Sequence, residues 1–445
     1  MLLGSLAAIG LICVRLFVLQ VISHDYYEAL ATSQHEHSQE LVAKRGKIMI
    51  YDRHSGEPYV IARSVNRPTV AASPGQISDP ATTAEVLAEN LSLDYREIFE
   101  KISDTSRRYV VIAREVAEET AEKLLQLRLS GITFEDQQYR DYPENTLSAH
   151  VLGFLGFDSD RRLGRYGIEQ RFEDLLAGKP GLLAGARDLS GNWITSGERD
   201  FTPAEDGSDI VLTLDRAIQH TAEQALARAV DAYQAKSGSV VVLNPKNGAV
   251  LAMTSYPTFN PNSYGEVADI SIYNNSAIQA AYEPGSVMKA MTMAAALNEA
   301  VITPDTEFVD PGFIELENFT IRNANSKIFG KVNMTQVLNE SINTGLIFAE
   351  QKVGHKKFGE YLEKFGFGKK TGIELPFEAA GDISNLDRGG DLYPATISYG
   401  QGMTATPLQL AAAYGAIANG GKFYKPHIVD RTVDSDGRES IIEPA

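Results

Sequence analysis

The sequence predicts an α+β protein with two folded regions behind an apolar N-terminal segment. Three observations carry that prediction. A chain of 445 residues is too long for one compact core and calls for two domains or more. From about residue 43 to 203, short runs rich in Ile, Val and Tyr alternate with short helical stretches, as in a mixed α/β region. Beyond about residue 206 the strands come first and the helices after, which suggests an antiparallel sheet layered with helices. Segment 191–206 is polar with little periodicity and marks the boundary. The expected division is an anchor over 1–22, a pedestal over 23–205 and a chemistry-bearing domain over 206–445.

In the pedestal, 48–51, 59–62 and 109–113 read as strands, and 118–129 has helical apolar spacing with good helix formers. Nothing in this region gathers a nucleophile, a base and oxyanion donors. After the boundary, 210–214 reads as a strand, and Asp215 is placed to cap a helix running through Gln219, Glu223 and Ala227. Runs 237–243 and 249–254 flank Asn244-Pro-Lys-Asn-Gly248, a five-residue turn that makes them a hairpin. Their continuous hydrophobicity predicts a central sheet covered on both faces. Helices are expected over 287–297, 334–351 and 407–418.

Composition bounds the function. Apolar residues make up 43% and charged residues 22%, an ordinary globular balance. A formal net charge of −17 argues against a nucleic-acid partner, since nothing offsets phosphate repulsion over a broad surface. The one cysteine, Cys13, lies in the apolar N-terminal run, which excludes a disulfide framework and a Cys-ligated zinc site. No metal or cofactor is expected. Residues 1–14 are apolar or small, Arg15 interrupts, and 16–22 is apolar again except for Gln20. A bilayer span needs about 20 apolar residues, and an arginine near one end can snorkel to the interface. No basic stretch precedes the run, so it does not read as a cleavable signal. The expectation is a single-pass membrane anchor with the folded regions extracytoplasmic. The true start then lies upstream, where the basic flank would be. The alternative is a buried or interfacial helix.

The chemistry concentrates at Tyr282-Glu-Pro-Gly-Ser-Val-Met-Lys289. Pro284 and Gly285 make a turn, and an apolar helix follows. Ser286 therefore sits at a helix start, where backbone N–H groups and the dipole favour negative charge. Its own N–H can donate to an oxyanion formed when its hydroxyl attacks a carbonyl. Lys289, three residues on, projects from the same helix face. Among Met288, Met291 and Met293 a lysine loses its proton more readily and can act as base. The bland alternative is a capped helix with a surface lysine. Against it, this is the only Ser-x-x-Lys in the chain.

Serine acyl-transfer enzymes that use Ser-x-x-Lys also carry a Ser-x-Asn type box and Lys-Thr-Gly. Ser-x-Asn occurs at Ser64-Val-Asn66, Ser190-Gly-Asn192 and Ser341-Ile-Asn343. Only the third lies downstream of Ser286 in the same region. There Ser341 can relay a proton and Asn343 can hold substrate amides; the alternative is a cap or turn pair.

Taken together, these segments resemble class B penicillin-binding proteins. The resemblance rests on the Ser286 segment, on Ser237-Gly-Ser-Val-Val-Val-Leu-Asn-Pro-Lys-Asn-Gly-Ala-Val-Leu-Ala-Met253, and on Ser255-Tyr-Pro-Thr-Phe-Asn-Pro261. Tyr399-Gly-Gln-Gly402 through Thr406-Pro-Leu-Gln409, Arg165-Tyr-Gly-Ile-Glu169 and Arg15-Leu-Phe-Val-Leu-Gln-Val-Ile22 add to it. It implies a penicillin-binding/serine β-lactamase-like transpeptidase domain behind the pedestal, with catalytic Ser286, Lys289, Ser341 and Asn343. It also implies D-Ala-D-Ala stem peptides of peptidoglycan as substrate, β-lactams as inhibitors, and divisome or elongasome membrane proteins as partners. Arg45-Gly-Lys-Ile-Met-Ile-Tyr-Asp-Arg53 is longer than the usual segment there. The family's Lys-Thr-Gly normally lies beyond the segment resembling Ala418-Asn-Gly-Gly421, and residue 445 comes too soon for it. The chain is therefore expected to be incomplete at its C-terminus. The literal Lys370-Thr-Gly372 sits among closely spaced glycines and a proline, and reads as a loop decoy. The competing readings are a truncated, inactive scaffold and a penicillin-recognising sensor of the same fold.

Overall fold

The computed structural model describes residues 36–158, 161–186 and 200–441. They gather into two compact units, and the division is not linear along the chain. The smaller unit pairs three antiparallel strands in the order Glu36–Leu41, Gly181–Ala186, Asp200–Thr202. Its strand ends are tied by the reciprocal backbone bonds of Lys179 and Glu205, at 2.8 and 2.9 Å. The expected anchor over 1–22 lies outside the described residues. Among the described residues no helix is long and apolar enough to cross a membrane.

The larger unit joins residues 47–176 with 209–445. Its seven-stranded sheet uses β1 (Ile48–Tyr51), β2 (Pro58–Ala72), β3 (Val110–Ala113), β4 (Ile132–Asp141) and β5 (Asp209–Asp215). Strands Val429–Val433 and Glu439–Ile441 complete it beyond β5. The pairing of β5 with β1 is parallel, and the others are antiparallel. The 15-residue β2 bridges the sheet, with β1 on its first half and β3 and β4 further along. Ile48, Ile50, Ile210 and Leu212 on β1 and β5 are fully buried and share one core with Leu152, Ile168 and Met253. The predicted strand at 48–51 is observed with those bounds, and 59–62 lies inside β2.

Asp215 caps α1 (Arg216–Ala232), accepting from Ala217 N and Ile218 N at 3.1 Å each. It also pairs with Arg53, which closes the long 45–53 segment against the helix start. The segment 165–169 contributes Glu169, fully buried and paired to Arg140 at 2.7 Å.

The expected hairpin forms as β6 (Gly238–Leu243) and β7 (Val250–Tyr256), in register from Gly238↔Tyr256 to Val242↔Ala252, with a shift before Leu243↔Val250. Gly248 closes its turn at φ +79°, where a Cβ would lie 2.5 Å from Lys425 O. Helix α1 covers it with Leu226 against Gly238. Among the described residues β6 pairs with β7 alone, and all its side chains are half-buried. An unbroken Val-Val-Val-Leu run marks burial on both faces but cannot say whether both edges are paired.

The helical part follows: α2 (Lys289–Asn298), α3 (Met334–Asn339), α4 (Asn343–Val353), α5 (His355–Lys364) and α6 (Pro407–Ala418). Helix α6 begins in a capping box between Thr406 and Gln409 and lies on β6 through Gly415 against Leu243. The single helix predicted over 334–351 is two helices, broken at Glu340–Ile342. The break is a Schellman closure, with Ile342 N bonded to Val337 O at 2.9 Å and Ser341 N to Leu338 O at 3.2 Å. It holds Ser341 at φ +58°, a left-handed conformation that glycine normally fills. Gly345 lets α4 turn back closely, since a Cβ there would meet Val337 at 2.5 Å.

Candidate active site

Ser286 lies in a single 3-10 turn, Gly285–Met288, that runs into α2 at Lys289. The turn is held from outside. Gly285 N donates to Gly400 O at 2.9 Å, and Tyr282 and Ala405 exchange backbone bonds of 3.1 and 3.0 Å. Glu283 accepts from Gly402 N at 2.8 Å, and the Tyr414 hydroxyl of α6 donates to Val287 O at 2.9 Å. Gly400 must be glycine, with φ +87° and Gly285 O at 2.0 Å from any Cβ. Segment 399–402 is thus the wall that fixes the serine turn.

Lys289 is 2% exposed, whereas Ser286 is exposed. The lysine Nζ donates to Ser341 O at 2.6 Å, Ser341 Oγ at 2.8 Å and Asn343 Oδ1 at 2.7 Å. Ser341 Oγ is 3.1 Å from Ser286 Oγ. The four residues singled out in the sequence therefore meet in one hydrogen-bonded chain. The α3–α4 break does this: the left-handed Ser341 turns its hydroxyl and carbonyl to the lysine, and Asn343 begins α4 two residues further. All three acceptors are neutral, so burial dominates, and it pulls the lysine down to about 8.

Lys370-Thr-Gly372 lies outside any strand, and its backbone is already engaged. Thr371 N and Oγ1 donate to Glu378 at 2.7 and 2.6 Å, and Gly372 N at 3.0 Å. It is a carboxylate-binding loop. Ser64 and Asn66 are paired along β2 with Arg140 and Gln138, and Ser190 and Asn192 lie outside the described residues. Among the described residues no cluster of three or more His, Cys, Asp or Glu is placed to hold a metal ion.

The family model of the penicillin-binding protein transpeptidase domain matches residues 238–444, and that of the penicillin-binding protein dimerisation domain matches 40–212. The chain is 30% identical over 438 residues to the probable peptidoglycan D,D-transpeptidase PenA of Neisseria meningitidis serogroup A, covering 98% of this chain and 73% of that protein. The chain belongs to the class B penicillin-binding proteins. Its α+β fold is accordingly the transpeptidase/β-lactamase-like one with a preceding dimerisation domain. It is also 32% identical over 431 residues to stage V sporulation protein D of Bacillus subtilis, covering 96% of this chain but 65% of that relative's length. Among solved structures, penicillin-binding protein 3 of Mycobacterium tuberculosis complexed with aztreonam superposes with a TM-score of 0.66 at 27% identity, over 92% of this chain and 71% of that one.

Sequence reasoning missed Glu283, Asp310, Asn323 and Thr344, which brace this site. Glu283 stood inside a motif read only for its serine, and the other three carry no motif at all. The site makes a direct prediction. By NMR of labelled lysine side chains, Lys289 should titrate with a midpoint near 8, well below a free lysine, and a midpoint above 10 would contradict its burial.

Proposed function

We propose that this protein is a serine D,D-transpeptidase that cross-links peptidoglycan stem peptides. The observation that carries the proposal is the chain Ser286 Oγ, Ser341 Oγ, Lys289 Nζ, with contacts of 3.1 and 2.8 Å. With Lys289 near 8, a substantial fraction of the amine is neutral close to physiological pH. Hydroxyl hydrogens rotate, so reversing the two bonds moves the Ser286 proton through Ser341 to the amine. Ser286 Oγ then attacks the carbonyl carbon of the penultimate D-alanine, and its own N–H stabilises the oxyanion. The C–N bond to the last D-alanine breaks, and the leaving amine takes the stored proton. An amine from a neighbouring stem peptide attacks the acyl ester, passes a proton to Lys289, and releases Ser286 reprotonated. The exposed serine beside a buried base suits this two-step exchange, because substrates reach the nucleophile without hydrating the amine. Asn343, the first residue of α4, holds substrate amides on this reading.

The same reading assigns 23–205 to a pedestal without chemistry, 206–445 to the transpeptidase domain and 1–22 to a membrane anchor that leaves both outside the cytoplasm. Division or elongation membrane proteins are its partners. The names of PenA and of the aztreonam-bound relative support a β-lactam-sensitive transpeptidase.

Mass spectrometry of the full-length protein after incubation with a penicillin should place one adduct on the peptide containing Ser286, and an adduct that persists in Ser286→Ala would sink the assignment. The acylation rate should rise with pH toward about 8 as Lys289 loses its proton. Lys289→Arg should slow acylation by about 10²–10⁴-fold, because a guanidinium does not deprotonate; near-normal rates would move the base elsewhere. In the full-length enzyme Lys370→Ala should leave acylation nearly unchanged, and its loss in a folded variant would make that loop catalytic.

A further inference from the structure

Asp310 ends the strand Glu307–Asp310 and is 1% exposed. Its Oδ1 accepts from Thr344 Oγ1 at 2.6 Å, Gly312 N at 2.9 Å and Asn323 Nδ2 at 3.0 Å. Its Oδ2 accepts from Phe329 N at 2.8 Å and again from Asn323 Nδ2 at 3.0 Å. Asn323 in turn accepts from Thr344 N at 3.2 Å. Burial pushes the Asp310 carboxyl up, but the bonds from Thr344, Phe329, Gly312 and Asn323 outweigh it and hold the group below its usual range. A buried anion satisfied by this many donors is a fixed point in the fold.

What that point fixes is Asn343. The asparagine lies directly before Thr344, and its Nδ2 donates to Arg322 O at 2.9 Å, directly before Asn323. Both neighbours of the Asn343 contacts are therefore tied to one carboxylate. A side-chain amide has a donor end and an acceptor end, and a carbonyl only accepts. With Arg322 O held where it is, Nδ2 must face it, and Oδ1 is left for Lys289 Nζ at 2.7 Å. Were the carbonyl to drift, the amide could rotate and present an N–H to the amine. Lys289 Nζ meets Ser341 and Asn343, with Ser286 one hydroxyl further on, and among the described residues no acidic side chain forms an ion pair with it. The polarity of one amide thus weighs heavily on that lysine.

Resting on the acyl-serine reading above, we propose that Asp310 is a positioning residue for this active site, acting through Asn323 and Thr344 to orient the Asn343 amide toward Lys289. A carboxylate that only closed the turn at Gly312 would leave the lysine indifferent to its removal.

The test uses the full chain and three variants, Asp310→Asn, Thr344→Val and Thr344→Ser. Lysine NMR follows the Lys289 midpoint, and fluorescent-penicillin labelling follows acylation. Losing the Oδ1 acceptor disfavours the ammonium, so the midpoint should fall by about half a pH unit in Asp310→Asn and Thr344→Val. It should return in Thr344→Ser, which keeps the hydroxyl. Acylation should drop by about ten- to hundred-fold in the first two, the scale of a misplaced catalytic contact, and recover in the third. If Asp310→Asn folds poorly, Thr344→Val carries the comparison alone. An unmoved Lys289 midpoint in a folded variant overturns the proposal, even if thermal stability falls. Because the titration needs no activity, absence of labelling in the unsubstituted full-length protein, extended through its Lys-Thr-Gly box, would count against the transpeptidase reading and leave the positioning result intact.

Discussion

Burying the Lys289 amine without a counter-charge is the constraint on which the rest of the site depends. Lowering a lysine from 10.5 to about 8 corresponds to about 3 kcal/mol against the charged form. A group that costly is kept only where its protons find acceptors at close range, and here all three acceptors come from Ser341 and Asn343. Two residues that close in sequence cannot converge on one amine from a continuous helix. The helix must stop, turn through a left-handed residue and restart, as it does between α3 and α4. A left-handed serine costs about 1–2 kcal/mol relative to glycine. Glycine would lack the hydroxyl that links the Lys289 amine to Ser286, and on the proposed reading the strain is kept for that link.

The two halves of the site are braced by different means. The serine turn is held mostly by main-chain bonds to 400–405, where Gly400 must leave room, with the Glu283 carboxylate and the Tyr414 hydroxyl adding one side-chain bond each. The base side is held by buried side chains of Asp310, Asn323 and Thr344. On the proposed transpeptidase reading, main-chain bracing suits a serine that must meet substrate in one place through two successive attacks. Side-chain bracing suits a base, because it sets the direction of a dipole as well as a position.

What the sequence disclosed follows from distance along the chain. Ser286 and Lys289 share one turn of helix, so their pairing was legible from local rules, as was Asp215 capping α1. The broken helix was not, because apolar spacing runs through 334–351 unchanged while the Schellman bonds that end α3 leave only a serine where glycine would have signalled a stop. The Asp310 network was illegible for a different reason. Its members come from four segments up to 34 residues apart, and no spacing relates them.

The repeated motifs make the same argument more sharply. Ser64-Val-Asn66 has the letters of the catalytic box, yet both residues sit in the middle of β2, committed to a ladder with β4. Lys370-Thr-Gly372 has the letters of an oxyanion strand, yet the N–H groups of Thr371 and Gly372 are spent on the Glu378 carboxylate. An oxyanion donor must be free of other acceptors and aimed where charge develops; a relay hydroxyl must touch both its partners. Ser341 meets the second condition only because a helix end holds it in a conformation serine seldom adopts. The short motif is chemically meaningful at that one place because the backbone around it is irregular, and the regular copies carry structure instead.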